Sequence, residues 1–410
     1  MSLLKRRCLA GTVVRAMKTF PAVVVTGPRQ SGKTTLLKTG FARTHAYVSL
    51  ENLDVRMRAR DDPNGFLDQY PPPIILDEIQ YVPDILSYIK TRIDEDRKSG
   101  QWLLTGSQNF ALMHGVSQSL AGRAAVLTLM PLSLPEMADR AAAALDPAAW
   151  LKKPAGNLPA SRPLAVETAI LRGMYPEIAL NKKVDRQLWC ASYIATYLER
   201  DVRNLAAVGD LNQFERFLRL SATRTGQILN LSDMARDIGV SVPTAKRWIS
   251  ILEAGHQVYL LYPFYRNIGK RLIKSPKLYF TDTALATYLL GIHDRETLLN
   301  SPSFGALFET AVVTEFLKRF LNFGHIPSLF YLRTRDGLEI DLVVESGQKL
   351  HLFEIKTSMT VTAHHVPSLI KMSRDRKAPI ASAAVISRTA GNFRLTDRIA
   401  ALNWAASLSR

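Results

Sequence analysis

The run Ala22-Val23-Val24-Val25-Thr26-Gly27-Pro28-Arg29-Gln30-Ser31-Gly32-Lys33-Thr34-Thr35 constrains the fold more than any other stretch of the 410 residues. A β-branched run, then G-x-x-x-x-G-K-[ST], then Leu36-Leu37-Lys38 predicts a buried strand, a phosphate-cradling loop and the opening of a helix. Gly27 and Gly32 let backbone N–H groups close on phosphate oxygens. Pro28, Arg29, Gln30 and Ser31 complete the loop, and Lys33 reaches the β/γ oxygens. The Thr34 hydroxyl, followed by Thr35, is placed to ligate Mg²⁺. ATP with Mg²⁺ is the expected cofactor pair. Asn181-Lys182-Lys183-Val184-Asp185 approaches the guanine motif N-K-x-D, but its aspartate falls one position too far and well past the fifth expected strand.

The first ~140 residues alternate strand-like and helix-like patterns, as a parallel sheet with crossover helices requires. Expected strands are 22–25, 46–50, 74–77, 102–105 and 125–129. The third ends in Asp77-Glu78. Asp77 is expected to support Mg²⁺ through its water shell, and Glu78 to polarise the attacking water. The fourth is followed by Ser107, Gln108 and Asn109, where a γ-phosphate sensor would sit between the two motifs. Arg123, before the fifth strand, offers a cation for the nucleotide of its own or a neighbouring subunit, with Arg200 and Arg203 as further candidates.

Charge narrows the partner. With 53 Lys+Arg against 36 Asp+Glu, the net charge of +17 favours a polyanion. Two distant cysteines, Cys8 and Cys190, support neither a disulfide framework nor a zinc site, and the eight histidines do not fall at ligand spacing. A cytoplasmic protein is expected. Lys5-Arg6-Arg7 and the following apolar residues faintly resemble a signal peptide, but Arg15 and Lys18 interrupt the run, so an amphipathic helix beside the first strand is expected instead. No run is long enough to predict a membrane span.

The Ala- and Pro-rich stretch 141–163 reads as a linker, and 164–210 as a helical segment. Residues 211–295 read as a winged helix-turn-helix. Ser232 is expected to cap a helix ending near Ile238, Gly239 to make the turn, and Ser241 to cap a second helix through Ala254. Leu231, Ala235, Ile238, Val242, Ala245, Trp248, Ile249 and Leu252 are its expected core, which leaves Lys246 and Arg247 outside. Strand-like runs at 257–262 and 272–280 follow as a wing. Arg266, Lys270, Arg271, Lys274 and Lys277 lie in or beside it with no acidic residue among them. Five phosphate contacts would give a log–log salt slope of about −4.5.

Residues 300–410 return to an α/β pattern and read as a separate small domain. Asp341 and the run His351-Leu352-Phe353-Glu354-Ile355-Lys356 fall on two strand-like stretches, with Glu354 and Lys356 on one face. Joined by Glu309 from the helix expected at 305–320, these carboxylates could hold Mg²⁺ for phosphodiester attack, with Lys356 steadying the nucleophile or the developing charge. The same Glu and Lys could instead pair across a solvated hairpin.

Taken together, the phosphate loop, Leu76-Asp77-Glu78-Ile79-Gln80, Leu104-Thr105-Gly106-Ser107, Leu120-Ala121-Gly122-Arg123, Gly173-Met174-Tyr175-Pro176-Glu177 and Tyr197-Leu198-Glu199-Arg200-Asp201 resemble a prokaryotic family. It is that of the AAA-type P-loop ATPases with a C-terminal domain of unknown function. The resemblance implies an AAA+ parallel-sheet domain over 1–140, a winged-helix middle and a restriction-endonuclease-like end of PD-(D/E)xK type. Ile340 departs from that motif's usual proline, and Met174 from a glycine often found in the middle motif. The expected activity is ATP hydrolysis coupled to duplex or branched DNA, in a chain that could assemble into a ring. The alternative is an ATP-dependent regulator or switch whose nuclease-like fold does not cleave. A protein-remodelling machine is the third reading, and no pore-loop signal supports it.

Overall fold

A computed structural model describes residues 4–106, 119–152, 164–198, 202, 211–265, 274–334, 336–375 and 378–410. The expected sites Ser107, Gln108, Asn109, Arg200, Arg203, Arg266, Lys270 and Arg271 lie outside these residues.

Five parallel strands, β1 (Ala22–Thr26), β2 (Ala46–Ser49), β3 (Ile74–Asp77), β4 (Trp102–Thr105) and β5 (Ala124–Thr128), form the N-terminal sheet in the order β2-β3-β4-β1-β5. The three central strands, β1, β3 and β4, are covered on both faces, which is why they are apolar without alternation, while the edge strands β2 and β5 are partly exposed. Ala22, Val24, Leu76 and Leu104 face one core. Val23, Val25, Ile75 and Leu103 face another, closed by the Leu9–Met17 helix and by Leu36 and Leu37 of the Lys33–Phe41 helix. Placing β4 between β1 and β3 sets its C-terminal residue, Thr105, between the phosphate loop and Asp77-Glu78.

A short three-stranded sheet, ordered β6-β8-β7, joins β6 (Gln227–Ile228), β7 (Val258–Leu261) and β8 (Lys277–Phe280). Two helices, Leu231–Ile238 and Val242–Ala254, precede β7. Ser241 caps the second as expected, but Asn230, not Ser232, caps the first, accepting from the Ser232 and Asp233 N–H groups. Gly239 makes the turn with φ +79°. Val242 is exposed, because a residue in the first turn of the second helix has no helix turn before it to pack beneath.

The third sheet runs β13-β14-β12-β11-β10-β9, from β9 (Leu329–Arg333), β10 (Glu339–Ser346), β11 (Lys349–Lys356), β12 (Ile380–Ser387), β13 (Phe393–Arg394) and β14 (Ile399–Asn403). The β9–β10 pairing slips between Ile340 and Val343, an irregularity that surrounds Asp341.

One face of this sheet packs into an apolar core with members from Leu132 to Leu408, whose spine is the Phe304–Asn322 helix, and the other face has a core of its own around Ile340, Leu352 and Val385. At the C-terminal half of that helix, Glu315 accepts from the Leu134 N–H at 2.8 Å and Lys318 donates to the Leu132 carbonyl at 2.9 Å. The described part of the expected linker is also packed. The Pro147–Lys152 helix buries Trp150 against Phe316 and Phe353, and the indole N–H donates to the Ser407 carbonyl. Pro147 and Trp150 carry that packing, while Ala142, Ala143 and Ala148 are exposed.

Candidate functional site

The phosphate loop turns on two glycines, Gly27 required by space and Gly32 by its backbone angle. Gly27 has φ +134°, and a Cβ on it would stand 2.2 Å from the Leu129 carbonyl oxygen. Gly32 has φ +93° and sits at the N-terminus of the Lys33–Phe41 helix. Lys33 is buried, its ammonium donating to the Gly27 and Pro28 carbonyls at 3.0 and 2.9 Å. Arg7, a residue whose role the sequence did not reveal, braces the loop from behind. Its guanidinium donates to the Ser31 and Met130 carbonyls, each at 2.6 Å, and to Glu136 at 3.0 Å.

Asp77 lies at the C-terminal end of β3, buried, and gathers hydroxyls. Thr34 donates to both its oxygens, Tyr47 donates to Oδ2 at 2.7 Å, and Thr105 donates to Oδ1. Burial and the neighbouring carboxylate raise the Tyr47 phenol above its usual range, so it stays a donor. Thr105 also accepts from the Glu78 N–H at 3.1 Å. Glu78 itself has φ +60°, a left-handed conformation that a non-glycine residue adopts at a cost, and its carboxylate accepts from Gln80. Thr34 and Asp77 supply hard oxygens side by side, a donor set that fits Mg²⁺.

A cavity of about 450 Å³ opens over the loop, lined by Gly32, Lys33, Thr34 and Glu78 on one side and Pro176, Glu177, Tyr193 and Thr196 on the other. The second wall comes from the Pro176–Leu180 and Arg186–Tyr197 helices. It is fixed in place. Trp189 donates to Glu177 at 3.0 Å, Tyr193 and Tyr175 share a hydrogen bond of 2.8 Å, and Gln257 donates to the Tyr193 oxygen. Close by, burial and then the charge of Lys33 lower the His256 pKa to about 4.

Arg123 does not reach this cavity within its own chain. Its carbonyl pairs with the Ala22 N–H at the opposite end of β1 from the loop, about 16 Å away by strand rise. There its guanidinium is held by Asp94 through two hydrogen bonds of 2.6 and 2.9 Å.

The second constellation gathers at the edge where β8, β10 and β11 meet the Phe304–Asn322 helix. The pairing of Leu342 with Phe353 sets Asp341 across from Glu354, and Asp341 accepts from the Ile355 N–H at 2.8 Å. Lys356 lies 2.7 Å from Glu354 and 3.7 Å from Asp341. Glu354 Oε2 is buried with no hydrogen-bond partner among the described residues. Burial and then Asp341 push both Glu309 and Glu354 up to about 7.

Lys277 belongs here and not on a basic surface. It is buried, 3.3 Å from Glu309 and 3.1 Å from Glu339, because β8 runs beside the Phe304–Asn322 helix. Burial alone would lower its pKa, but Glu309, Asp341 and Glu339 more than offset that and raise it. Glu309 also accepts from the Tyr279 hydroxyl at 2.5 Å. It is therefore engaged by protein donors. Among the described residues no three His, Cys, Asp or Glu side chains are arranged to hold a metal, so Asp341 and Glu354 remain as a pair. Of the other expected basic contacts, Lys246, Arg247 and Lys274 are exposed. No described helix is long and apolar enough to cross a membrane.

Comparison with known proteins matches residues 19–138 to the AAA domain family. Residues 164–296 match a domain of unknown function (DUF8612), and 304–406 another (DUF4143). The uncharacterized proteins Rv2008c of Mycobacterium tuberculosis and Mb2031c of Mycobacterium bovis are each 32% identical over 405 residues, covering 98% of this chain and 84% of theirs. Among solved structures, the Walker-type ATPase PABY2304 of Pyrococcus abyssi is 12% identical with a TM-score of 0.43, over 69% of this chain and 94% of its own. The RuvB Holliday junction branch migration motor of Thermotoga maritima is 17% identical with a TM-score of 0.27, over 61% and 88%. Similarity at these scores carries no weight for mechanism.

Proposed function

The chain is an AAA-type P-loop ATPase of the same family as the two mycobacterial proteins, and on that footing we propose that it couples ATP hydrolysis to Mg²⁺-dependent processing of DNA. The ATPase half follows from the loop. Lys33 neutralises charge on the β/γ oxygens, Thr34 and Asp77 hold Mg²⁺, and Glu78 orients the attacking water from a fixed position beyond β3. Bound Mg²⁺ supplies charge neutralisation at the phosphates. Thr105 keeps Asp77 and Glu78 in register by bonding to both.

The DNA half rests on one observation, the Asp341–Glu354–Lys356 triangle with an unpartnered buried carboxylate oxygen. Such an oxygen is costly to bury unless a cation or donor meets it. In this reading the third sheet is a nuclease-like fold. Asp341 and Glu354 hold Mg²⁺, and Lys356 places a cation beside the charge that develops on the attacked phosphate. The helix pair and three-stranded sheet act as a winged helix, with Lys246, Arg247 and Lys274 facing the DNA backbone. A homo-oligomeric ring would bring a neighbour's Arg123 to a nucleotide that its own chain's Arg123 does not reach.

A second reading has its own observation in favour. Lys277 and Tyr279 already satisfy Glu309, which leaves two carboxylates where a fuller set would make a stronger cation site. On that reading the fold binds DNA and does not cut it, and ATP works as a switch. ATP turnover and cleavage measured together on single-stranded, duplex and junction DNA separate the two. Cleavage lost in Asp341→Ala with turnover retained supports processing. Binding without cleavage in the unsubstituted protein supports the switch, and no DNA binding at all refutes both.

A further inference from the structure

The face of the third sheet that looks toward the Pro147–Lys152 helix carries a hole that neither constellation explains. Strand register aligns Phe353, Ala384, Ala400 and Arg394 in one row across β11, β12, β14 and β13. The two central members are alanines. A row of small residues usually lets a helix approach a sheet, but this row opens into a cavity of about 740 Å³. That volume is in the range of small-molecule sites.

Its walls are aromatic and its rim is cationic. Trp150 and Phe353 close one side with ring centroids 6.0 Å apart, and Phe393, an exposed aromatic, stands at the mouth. Exposed Lys152, Lys349 and Arg394 edge the opening, and no acidic residue lines it among those described. Inside, His351 and Ser382 share a hydrogen bond of 2.7 Å, leaving polar groups at the floor beside the alanine methyls. Methyl floor, ring walls and a basic edge are complementary to a flat apolar body bearing negative charge.

We propose that this cavity is a binding site for a flat aromatic anion, its ring seated over Ala384 and Ala400 and its charge met by Lys349 and Arg394. The site shares no lining residue with the ATP cavity, and neither Asp341 nor Glu354 is among its walls, so its occupant is an effector or a second substrate and not the hydrolysed nucleotide.

Anilinonaphthalene sulfonate, a fluorescent aromatic anion, tests this with the full-length chain. One saturable class of sites is expected. Ala384→Leu/Ala400→Leu, which fills the floor, and Lys349→Glu/Arg394→Glu, which reverses the rim, should each weaken binding about tenfold or more. ATP turnover and the melting temperature report that each variant is folded, and the rim variant, being wholly on the surface, stands if the filled one does not fold. Neutral N-phenylnaphthylamine should bind at least about tenfold more weakly. Unchanged affinity in the rim variant, equal binding of the neutral probe, or displacement by decanoate at lower concentration than by naphthalene sulfonate would overturn the proposal.

Discussion

The Thr34 hydroxyl stands 2.9 Å from Oδ2 and 3.1 Å from Oδ1 of Asp77, so one short hydrogen-bonding contact ties the phosphate loop to the end of β3. The two residues lie 43 positions apart in sequence and come together because β4 separates β1 from β3 by a single strand width. The hydroxyls of Tyr47 and Thr105 converge on the same carboxylate.

Thr105 is the residue whose loss should show this most clearly. Thr105→Val removes a donor to Asp77 and the acceptor for the Glu78 N–H, at a cost of about 1–3 kcal/mol in the folded state. Turnover should fall while ATP affinity stays within a few-fold, and Thr105→Ser should restore it. Equal loss in the serine variant would assign the effect to packing.

Arg7 predicts a different signature. Its ion pair with Glu136 is buried on both sides, so Arg7→Met should lower unfolding stability by about 3–5 kcal/mol. The apparent KM for ATP should rise, because the Ser31 and Met130 carbonyls lose their brace. Arg7→Met/Glu136→Leu should recover neither KM nor, in a denaturant titration, most of the stability, because the Cys8 and Ser133 N–H groups lose their acceptor along with Glu136.

Lys277 and Lys274 stand three residues apart and should behave oppositely. Lys277→Met leaves the buried Glu309 with Tyr279 alone and without a cation, and should cost about 3 kcal/mol. Lys274→Ala, on the surface, should stay within about 0.5 kcal/mol. Chemical denaturation of both variants under one condition reads the contrast.

His256 should make stability pH-dependent on the acid side. Burial and Lys33 lower its folded-state pKa from the ordinary 6.5 to about 4, and its Nε2 has no hydrogen-bond partner among the described residues. Below its ordinary pKa the unfolded chain takes up the proton and the folded chain does not. The stability is therefore complete above about pH 6.5 and is lost as pH falls toward 4, by roughly 3 kcal/mol. Subtracting the pH profile of His256→Gln from that of the unsubstituted protein isolates the contribution, and a flat difference would remove it.

The N-terminal sheet was legible because its three central strands are doubly buried and its motifs are local. Ala22 to Thr26, Ile74 to Asp77 and Trp102 to Thr105 announce themselves by apolar runs that end in chemistry. Arg7, Tyr47 and Thr105 were not legible as site residues. Each acts through a partner distant in sequence, and an arginine near the start of the chain or a tyrosine in a strand carries no local mark of it. Lys277 misled for a related reason. In sequence it sits among basic neighbours, but its strand places it beneath Glu309, and burial is decided by the Phe304–Asn322 helix. The Ala- and Pro-rich stretch misled because the packing of Trp150 depends on Phe316 and Phe353, far down the chain.

The most direct measurement is ATP turnover in the presence of Mg²⁺ by the unsubstituted protein and by Lys33→Ala. Turnover by the former, falling by about 10²-fold or more in the latter with loss of ATP binding, is the predicted result. Turnover that survives the substitution at its original rate would contradict the assignment of Gly27 to Thr34 as the ATP cradle.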